Sequence, residues 1–438
     1  MSRQPNIVFI VADDLGWADL GVYGQADYAT PHLDRLAAQG VRFTQAYSNS
    51  AVCSATRFAL ITGRYQYRLR GGLEEPIARA GRHIGLPPEH PTLPSLLGEA
   101  GYRTALIGKW HLGTLPDFGP LKSGYQKFFG NYSGVIDYFT HKPGVGENVP
   151  RDLWEDDLPV ERLGYYTQLL ADEAEAWIGQ QDERPYFLSL HFTAPHWPWV
   201  GPEDEAVSRT LTDLFHYDGG NLATYGRMVR SLDAAVGQVL AALDRRADRD
   251  DTIVVFTSDN GGERFSKTWP FTGQKTELLE GGLRVPTLLR WPVRLVPQVS
   301  HQVTVTMDWL PTLLAAAGLQ PHADFPSDGQ DILPALTGER APWPRTLYWR
   351  YKAQAQRAVR DGDWKYLKIN DNEFLFDVAN DERERANLRH RHADVFERLK
   401  AQWAAWNAGL LPITDDVFTH GLTPDIQADR YAPERATR

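Results

Sequence analysis

Short apolar runs alternate with segments of helical periodicity over most of the chain. Uninterrupted apolar runs, typical of strands buried on both faces of a sheet, occupy residues 6–12, 102–108, 185–192 and 252–257. Apolar positions with helical spacing occupy residues 31–40, 92–101, 165–178 and 222–243. The buried face predicted for the last helix consists of Tyr225, Leu232, Val236 and Leu240. The alternation predicts an α/β fold, a large doubly wound mixed sheet flanked by helices.

The pattern changes near residue 343. Residues 357–368 and 373–377 are typical of antiparallel strands, with an Asp-Gly turn in the first segment, and residues 393–408 of a closing helix. We therefore predict a large α/β domain over residues 1–342 and a smaller C-terminal α+β domain, an antiparallel sheet plus a helix, over residues 343–438.

Two stretches have no clear period. Residues 114–160 are rich in glycine, proline and aromatic residues and predict long loops. The stretch after about residue 411 shows little periodicity, which predicts a tail that wraps over the body or frays.

Composition narrows the classes of partner and compartment. A formal net charge of -10 argues against nucleic acid or an anionic membrane as the main partner. The single cysteine excludes an internal disulfide, so folding needs no oxidising compartment. No apolar run approaches the roughly 18 residues of a membrane span, and the N-terminal run is too short for a signal peptide. We expect a cytoplasmic protein.

The only cysteine, Cys53, opens a short helical segment. Ser54 or Thr56 is a candidate cap for this helix and Gly63 a candidate end. Cys53 would then lie beside a helix N-terminus, where free backbone N–H groups favour an anion. Taken alone, the cysteine is equally consistent with a small buried hydrophobic side chain.

Two acidic pairs come directly after apolar strands. Asp13 and Asp14 follow the first run, and Asp259 and Asn260 follow the run that ends at residue 257. Open α/β folds place their sites at the carboxyl ends of such strands. Oxygen ligands, three of them anionic, suit a hard divalent cation such as calcium or magnesium rather than zinc. Singly, each pair is more typical of a turn or a cap.

Basic and imidazole side chains follow other strands. Lys109 and His111 come after the second apolar run, and strand alternation predicts that both side chains point the same way. His196 follows the third run in an Ala-Pro-His-Trp-Pro segment, and Lys275 lies in Gly-Gln-Lys, shortly before Glu-Gly-Gly. In most proteins such residues are solvated or surface groups.

All of these segments occur in this chain, and together they resemble the type I sulfatases. These are formylglycine-dependent, arylsulfatase-like hydrolases of the alkaline phosphatase superfamily. The sequence from Cys53 to Arg57, Cys-x-Ala-x-Arg, followed by Leu-Ile-Thr-Gly-Arg, is similar to the family signature. In that family a maturation enzyme oxidises the cysteine to formylglycine. Ala55 stands where most members carry proline, and some maturation systems accept the alanine form. The resemblance runs from residue 6 to about 390, with the motifs in the family's order.

The resemblance implies the activity and its cofactors. It implies a sulfuric ester hydrolase that cleaves aryl or carbohydrate sulfate monoesters with a formylglycine hydrate as nucleophile. It also implies one divalent metal, calcium as the expected ion with magnesium or manganese as alternatives. The implied metal ligands are Asp13, Asp14, Cys53 as formylglycine, Asp259 and Asn260. The implied partners are a small-molecule or saccharide sulfate ester and a formylglycine-generating enzyme.

Sulfate monoesters resist hydrolysis because their anionic oxygens repel nucleophiles and the alcohol leaves poorly, so an enzyme must neutralise the oxygens and protonate the leaving group. The family segments imply which residues do this. Arg57 would hold the diol, and Lys109 and Lys275 would bind sulfate oxygens. Asp259 and His111 would accept the two diol protons, and His196 would protonate the leaving oxygen.

Two alternatives stay open. Relatives in the same superfamily use the same site on phosphonate monoesters and phosphodiesters, although Lys109, His111 and His196 favour sulfate monoesters. The other alternative is a non-catalytic binding protein with the sulfatase fold, if Cys53 is not converted. Substrate specificity is open as well. Loop residues that could frame the pocket are Tyr138, His141, His191, Trp197, Trp199, His216, Arg264 and Trp269.

Overall fold

The computed structural model describes residues 4–78, 83–180, 182–423 and 426–428. Strands β1 to β16 are, in order, Asn6–Ala12, Val41–Phe43, Ala46–Tyr47, Arg103–Lys109, Lys127–Asn131, Trp154–Glu155, Leu158–Pro159, Tyr186–His191, Thr252–Ser258, Thr287–Arg290, Gln298–Ser300, Thr304–Val305, Thr346–Tyr351, Gln356–Asp361, Trp364–Ile369 and Asn372–Asp377. Helices α1 to α10 are Pro31–Ala38, Cys53–Thr62, Leu93–Glu99, Tyr166–Ile178, Glu205–Ser208, Leu222–Asp244, Glu280–Leu283, Trp309–Ala316, Leu333–Leu336 and Ala393–Ala408. Short 3-10 turns are Trp17–Asp19, Gly21–Tyr23, Gln66–Arg68, Gly71–Leu73, Leu121–Ser123, Arg249–Asp251, Thr306–Asp308 and Ala353–Ala355.

A mixed sheet of ten strands forms the centre, in the order β11-β2-β10-β9-β1-β8-β4-β5-β6-β7. The five middle strands, β9 to β5 in this order, are mutually parallel. Strand β10 runs antiparallel to β9, and the β6–β7 hairpin closes one edge. The predicted large mixed sheet is confirmed. Because the middle strands are parallel, their carboxyl ends meet at one edge of the sheet.

Helices cover both faces of this sheet. Along β1, Val8 and Ile10 pack into a core that also contains side chains of α1, α4 and α6. Phe9 and Val11 pack into a second core with side chains of α2, α3 and α8. Since both faces of β1 are buried, its sequence is a continuous apolar run instead of an alternating one. Burying each such side chain stabilises the fold by about 1.5–3 kcal/mol.

The predicted helices and strands of the large domain are present with boundaries shifted by a few residues. The predicted buried face of α6 is also confirmed, because Tyr225, Leu232, Val236 and Leu240 are at most 2% exposed. Within the described ranges, no helix combines the length and the apolar content that crossing a membrane requires.

The prediction of loops throughout residues 114–160 was wrong, because β5 lies there and extends the central sheet. This strand is short and contains Gly130, so it has no strong local signal. A Cβ added at Gly130 would lie 1.9 Å from the carbonyl oxygen of Gly108 in the neighbouring strand. The glycine therefore permits the close pairing with β4 that makes this segment a strand.

The C-terminal region forms an antiparallel sheet of four strands, β13-β14-β15-β16, with α10 on one face. The strands and helix predicted there are present, but β13 was not predicted. On the other face of the sheet, Trp349 and Leu367 pack in one cluster with Val52 and Ala55 of the large domain. The small sheet is thus packed directly against the start of α2. The domain boundary at residue 343 stays a prediction.

Candidate active site

Helix α2 begins at Cys53 and ends at Thr62, and its C-cap, Gly63, has a left-handed backbone conformation (φ 66°). The predicted helix and its predicted end at Gly63 are therefore confirmed, but the predicted N-terminal caps are wrong. Ser54 and Thr56 lie inside the helix, and Val52 is the N-cap without a side-chain hydrogen bond. Both hydroxyls instead bond to neighbouring loops, which explains why they do not cap the helix.

The two acidic pairs meet beside Cys53. Asn260 donates from Nδ2 to Oδ1 of Asp14 at 2.7 Å, and the backbone N–H of Asp14 donates to Oδ1 of Asp259 at 3.3 Å. The potential ligand atoms of Asp13, Cys53 and Asp259 all lie within 4.8 Å of one another. The parallel strands β1 and β9 cause this meeting, because both end at the same edge of the sheet.

This group of oxygens fits a hard divalent cation. Oδ1 of Asp13 and Oδ1 of Asn260 are buried and have no hydrogen-bond partner among the residues that the structure describes. Buried polar atoms are nearly always paired, so two unpaired oxygens within the acidic pairs indicate a place for a cation. Carboxylate and amide oxygens are ligands that calcium and magnesium prefer. Asp13, Asp14, Asp259 and Asn260 are the residues that would hold it.

Three buried cations lie against the three carboxylates of the acidic pairs. Arg57 donates to Oδ2 of Asp259 at 2.9 Å from Nη2 and at 3.2 Å from Nε. Lys109 Nζ lies 2.5 Å from Oδ2 of Asp13, and Lys275 Nζ lies 2.6 Å from Oδ2 of Asp14. With one divalent cation bound, the site would carry a net positive charge even with Glu263 included, although the whole chain carries -10. The site therefore attracts anions locally.

Burial also changes the pKa values of the acidic groups. Burial raises the pKa of Asp14 to about 6, although Lys275 acts in the opposite direction. Burial and the charge of Asp13 raise the pKa of Asp259 to about 6. Burial also raises the pKa of the Cys53 thiol to about 11, against the attraction of Lys109. Without modification, Cys53 is therefore an uncharged thiol and a weak nucleophile at neutral pH.

Two buried imidazoles border the same site. Nε2 of His111 lies 2.8 Å from the carbonyl oxygen of Ile77, and Nδ1 of His196 lies 2.8 Å from that of Trp197. A carbonyl only accepts, so these nitrogens carry the protons. The lone pairs are on Nδ1 of His111 and on Nε2 of His196, which lies 3.6 Å from Oδ2 of Asp14.

Both imidazoles are neutral in the free site. Burial first, and then the charge of Lys109, lower the pKa of His111 well below its ordinary value. Burial and Lys275 do the same to His196. A bound anion opposes the effect of the lysines and raises both pKa values.

His111 corrects one expectation. Lys109 is the last residue of β4, but His111 lies beyond the strand with a left-handed backbone (φ 58°). Strand alternation therefore does not set the direction of its side chain. The turn that follows the strand brings His111 into the site.

A cavity of about 630 Å³ opens from this group. Cys53, His111, His196 and Lys275 line it. The remaining predicted residues, which are Asp13, Asp14, Arg57, Lys109, Asp259 and Asn260, are buried next to them. The structure thus brings all the predicted site residues together.

The predicted frame of the pocket was mostly wrong. Trp197 lines the cavity, but the other residues of that set do not, namely Tyr138, His141, His191, Trp199, His216, Arg264 and Trp269. Tyr138 is buried, and its hydroxyl donates to the backbone of His196. Nδ1 of His191 lies 3.1 Å from Nη1 of Arg57, behind the site. Loop position alone does not distinguish supporting side chains from those that face the cavity.

Other residues of the site were missed. Glu263 accepts a hydrogen bond from Trp197 Nε1 at 3.0 Å and lies 3.6 Å from Lys275 Nζ. Its position just after the Asp-Asn-Gly-Gly segment could have indicated it. The missed parts of the cavity wall lie at 76–78, 113–114, 132–135, 143–145, 212–215, 418 and 420. No local signal marks these segments.

Comparison with known proteins agrees with this geometry. The Sulfatase family model matches residues 5–319, and the model described as N-sulphoglucosamine sulphohydrolase, C-terminal, matches residues 273–408. N-acetylgalactosamine-6-sulfatase of Homo sapiens is 36% identical over 372 residues, covering 80% of this chain and 69% of the relative. Arylsulfatase A of Homo sapiens is 32% identical over 406 residues, covering 83% of this chain and 75% of the relative.

Among solved structures, Ps i-CgsB in complex with k-i-k-neocarrahexaose is similar with a TM-score of 0.84 and 29% identity. The match covers 97% of this chain and 96% of that one. The family model alone spans most of the large domain, and the residues it covers include all those brought together at the sheet edge. The chain therefore belongs to the sulfatase family.

Proposed function

We propose that this sulfatase hydrolyses a saccharide sulfate monoester. Its nucleophile is a formylglycine formed from Cys53, and its cofactor is one calcium ion held by Asp13, Asp14, Asp259 and Asn260. The observation that carries the proposal is the position of Cys53. It lies at the start of α2, next to Asp13 and Asp259, on the wall of a cavity that Lys275 and His196 also line. The nucleophile, the cation site and the anion site therefore lie next to one another at the N-terminus of α2.

A saccharide substrate is supported by two observations. The cavity is about 630 Å³, and sites of roughly 300–1,000 Å³ accept ligands much larger than a sulfate ion. One similar protein is named N-acetylgalactosamine-6-sulfatase, and another was solved with a neocarrahexaose. We therefore infer that the substrate of this chain is also a saccharide sulfate.

In this proposal each side chain has a physical task. A formylglycine hydrate supplies a diol nucleophile, and a divalent cation supplies positive charge that favours its deprotonation. Lys109 and Lys275 neutralise the sulfate oxygens, which reduces their repulsion of the nucleophile. Asp259 would accept the proton of the attacking hydroxyl, and Nδ1 of His111, which carries a free lone pair, would accept the proton of the second hydroxyl. His196 gains a proton once an anion is bound and passes it to the leaving oxygen.

Mass spectrometry of the peptide that contains Cys53 tests the nucleophile. The protein is produced with and without a co-expressed formylglycine-generating enzyme, and turnover of sulfated saccharides and 4-nitrophenyl sulfate is measured on each sample. We expect turnover to rise in proportion to the aldehyde fraction, and Cys53→Ala to abolish it. Turnover that is independent of the aldehyde would contradict the proposal. A phosphonate monoester and a phosphodiester in the same assay test the alternative activities.

Metal removal tests the cation site. Dialysis against a chelator is expected to abolish turnover, and calcium is expected to restore it better than magnesium or manganese. Metal analysis is expected to find one calcium ion per chain, and to find it lost in Asp13→Ala. Full turnover in metal-free protein would rule out the cation site.

A further inference from the structure

The C-terminal tail supplies part of the active-site cavity. Phe418 and His420, which lie beyond the last helix α10, line the same cavity as Cys53. The tail therefore reaches back from the small sheet to the site of the large domain. No part of the proposed sulfate chemistry uses these two side chains, so their contribution to the wall needs another explanation.

Backbone pairing fixes which way the tail residues point. The N–H of Glu75 donates to the carbonyl of Phe418 at 3.0 Å, and the N–H of His420 donates to the carbonyl of Glu75 at 2.7 Å. Between them, the hydroxyl of Thr419 donates to the Glu75 carboxylate at 3.0 Å. Side chains alternate along such an extended segment. The side chains of Phe418 and His420 therefore lie on the face opposite to those of Thr419 and Glu75. That side is the cavity.

A row of rings connects the tail to the predicted leaving-group histidine. The rings of His196 and Trp197 lie 4.2 Å apart between centroids, and Trp197 stacks on Phe215 at 4.3 Å. Phe215 is also close to parallel with Tyr217 and His420, with centroids 5.3 and 6.0 Å away. The row begins where the leaving oxygen would be protonated and ends at the tail.

The outer part of the cavity presents apolar surface to solvent. Phe418 and Val145 are both 42% exposed, and both line the cavity. Two exposed apolar side chains on the wall of one cavity offer apolar surface that a ligand could cover. Thr212 and Asp213 lie in the same wall and offer hydrogen-bonding groups. Flat apolar rings beside hydroxyl and carboxylate groups match the surface of a sugar, which has an apolar face and a polar edge.

We propose that Phe418 and His420 form a stacking subsite for the sugar ring linked to the sulfated one, with Phe215 supporting the His420 ring from behind. The enzyme would then select oligosaccharides over a single sulfated sugar. This inference rests on the proposed saccharide sulfatase function. The occupant is a sugar ring because the subsite continues directly from the sulfate site along the side from which the alcohol part of the ester leaves.

Binding to inactive protein tests the subsite independently of catalysis. Calcium-loaded Cys53→Ala protein is titrated with N-acetylgalactosamine 6-sulfate and galactose 6-sulfate, each as a monosaccharide and at the end of a tetrasaccharide. We expect at least one tetrasaccharide to bind more than ten-fold more tightly than its monosaccharide. Phe418→Ala and His420→Ala, added to the same background, are expected to reduce this ratio to about one.

Controls separate the subsite from general damage. The control variant is His322→Ala. The His322 ring is exposed, packs on Phe325 and lies outside the cavity, so its removal is expected to leave the affinity ratio unchanged. Thermal unfolding identifies a variant that fails to fold, in which case Phe418→Leu replaces Phe418→Ala. Equal affinity for short and long saccharides, no binding of any of them, or a ratio that both tail variants preserve would overturn the inference. Failure of the proposed function appears separately, as absence of sulfate ester turnover in matured protein.

Discussion

At position 196 a neutral imidazole lies 3.6 Å from a carboxylate that also binds Lys275. The protonation state of His196 depends on whether an anion occupies the site. Burial and Lys275 lower its pKa, and the charge of a bound anion opposes the effect of Lys275. This makes His196 suited to protonating a leaving group after the substrate has entered. In the empty cavity the same environment leaves Nε2 unprotonated, so His196 has no proton there to donate.

His196→Ala is expected to affect substrates according to their leaving group. Turnover of a saccharide sulfate should fall about 10²–10⁴-fold, because its alcohol needs a proton in order to leave. Turnover of 4-nitrophenyl sulfate should fall less than about ten-fold, because nitrophenolate leaves without a proton. Steady-state kinetics with both substrates measure this difference. His301→Ala, an exposed histidine, is the control. Equal losses for the two substrates would contradict the assignment of His196 as the proton donor to the leaving oxygen.

Among the elements, α2 determines what residue is tolerated next to the nucleophile. Ala55 is the third residue of the helix, and the first turn has backbone N–H groups without intrahelical partners. Proline at this position removes no helical hydrogen bond. The proline found in most family members is therefore compatible with this helix.

Ala55→Pro is expected to change the free energy of unfolding by less than about 1 kcal/mol, whereas Ala59→Pro should cost about 3 kcal/mol or more. Both alanines are buried in the same helix, so Ala59 is a matched control. Denaturant unfolding measures the two changes. Similar losses in both variants would mean that packing against the small sheet, and not helix geometry, limits position 55.

Strand β14 of the small sheet holds the segment that carries Lys275. The side chain of Gln356 accepts from the N–H of Leu278 at 2.9 Å and donates to the carbonyl of Thr276 at 2.9 Å. Thr276 has a left-handed backbone (φ 72°), which needs support from its surroundings. Gln356 is thus a positioning residue that acts through the Lys275 segment.

Gln356→Met is expected to raise KM for the sulfate ester by about ten-fold and to change kcat less, because it loosens the anion-binding Lys275. It should also lower the free energy of unfolding by about 1–3 kcal/mol, since the Leu278 N–H loses its partner. Kinetics and denaturant unfolding measure the two effects. Gln354→Met, at an exposed glutamine nearby, should change neither. A loss of stability with an unchanged KM would mean that Gln356 has only a structural role.

At the scale of the whole molecule, Glu75 joins three distant parts of the chain. Its carboxylate accepts from the N–H of Lys352 at 2.7 Å and from the hydroxyl of Thr419. It thereby links the segment before Ile77 to the small sheet and to the tail. Burial raises the pKa of Glu75 to about 8, in spite of these hydrogen bonds.

This raised pKa makes stability depend on pH. Between its ordinary value of 4.5 and about 8, Glu75 is protonated in the folded state and ionised in the unfolded state. The folded state binds more protons, so the free energy of unfolding falls as pH rises through this window, by roughly 5 kcal/mol at most. In Glu75→Gln this part of the fall should be absent. Denaturant unfolding from pH 5 to 9 measures it, and identical pH profiles for both proteins would contradict the assignment.

The sequence by itself determined the central strands and most of the chemistry. Strands buried on both faces must be continuously apolar, so β1 and β9 are visible locally. Polar residues directly after such strands lie at the sheet edge, which is why Asp13 and Asp259 could be found. The family segments then indicated Cys53, Lys275 and the remaining site residues. These features are local, because burial and periodicity leave their mark on consecutive residues.

Only the tertiary structure decided how distant segments complete the site. β5 is a strand because glycines allow it to approach β4, and Ser54 bonds a loop instead of capping its helix. Phe418 and Gln356 reach the site region from the C-terminal part of the chain, and no residue near them in sequence marks that destination. Contacts between segments far apart depend on shape and on paired hydrogen bonds, which exist only once the sheets have packed together.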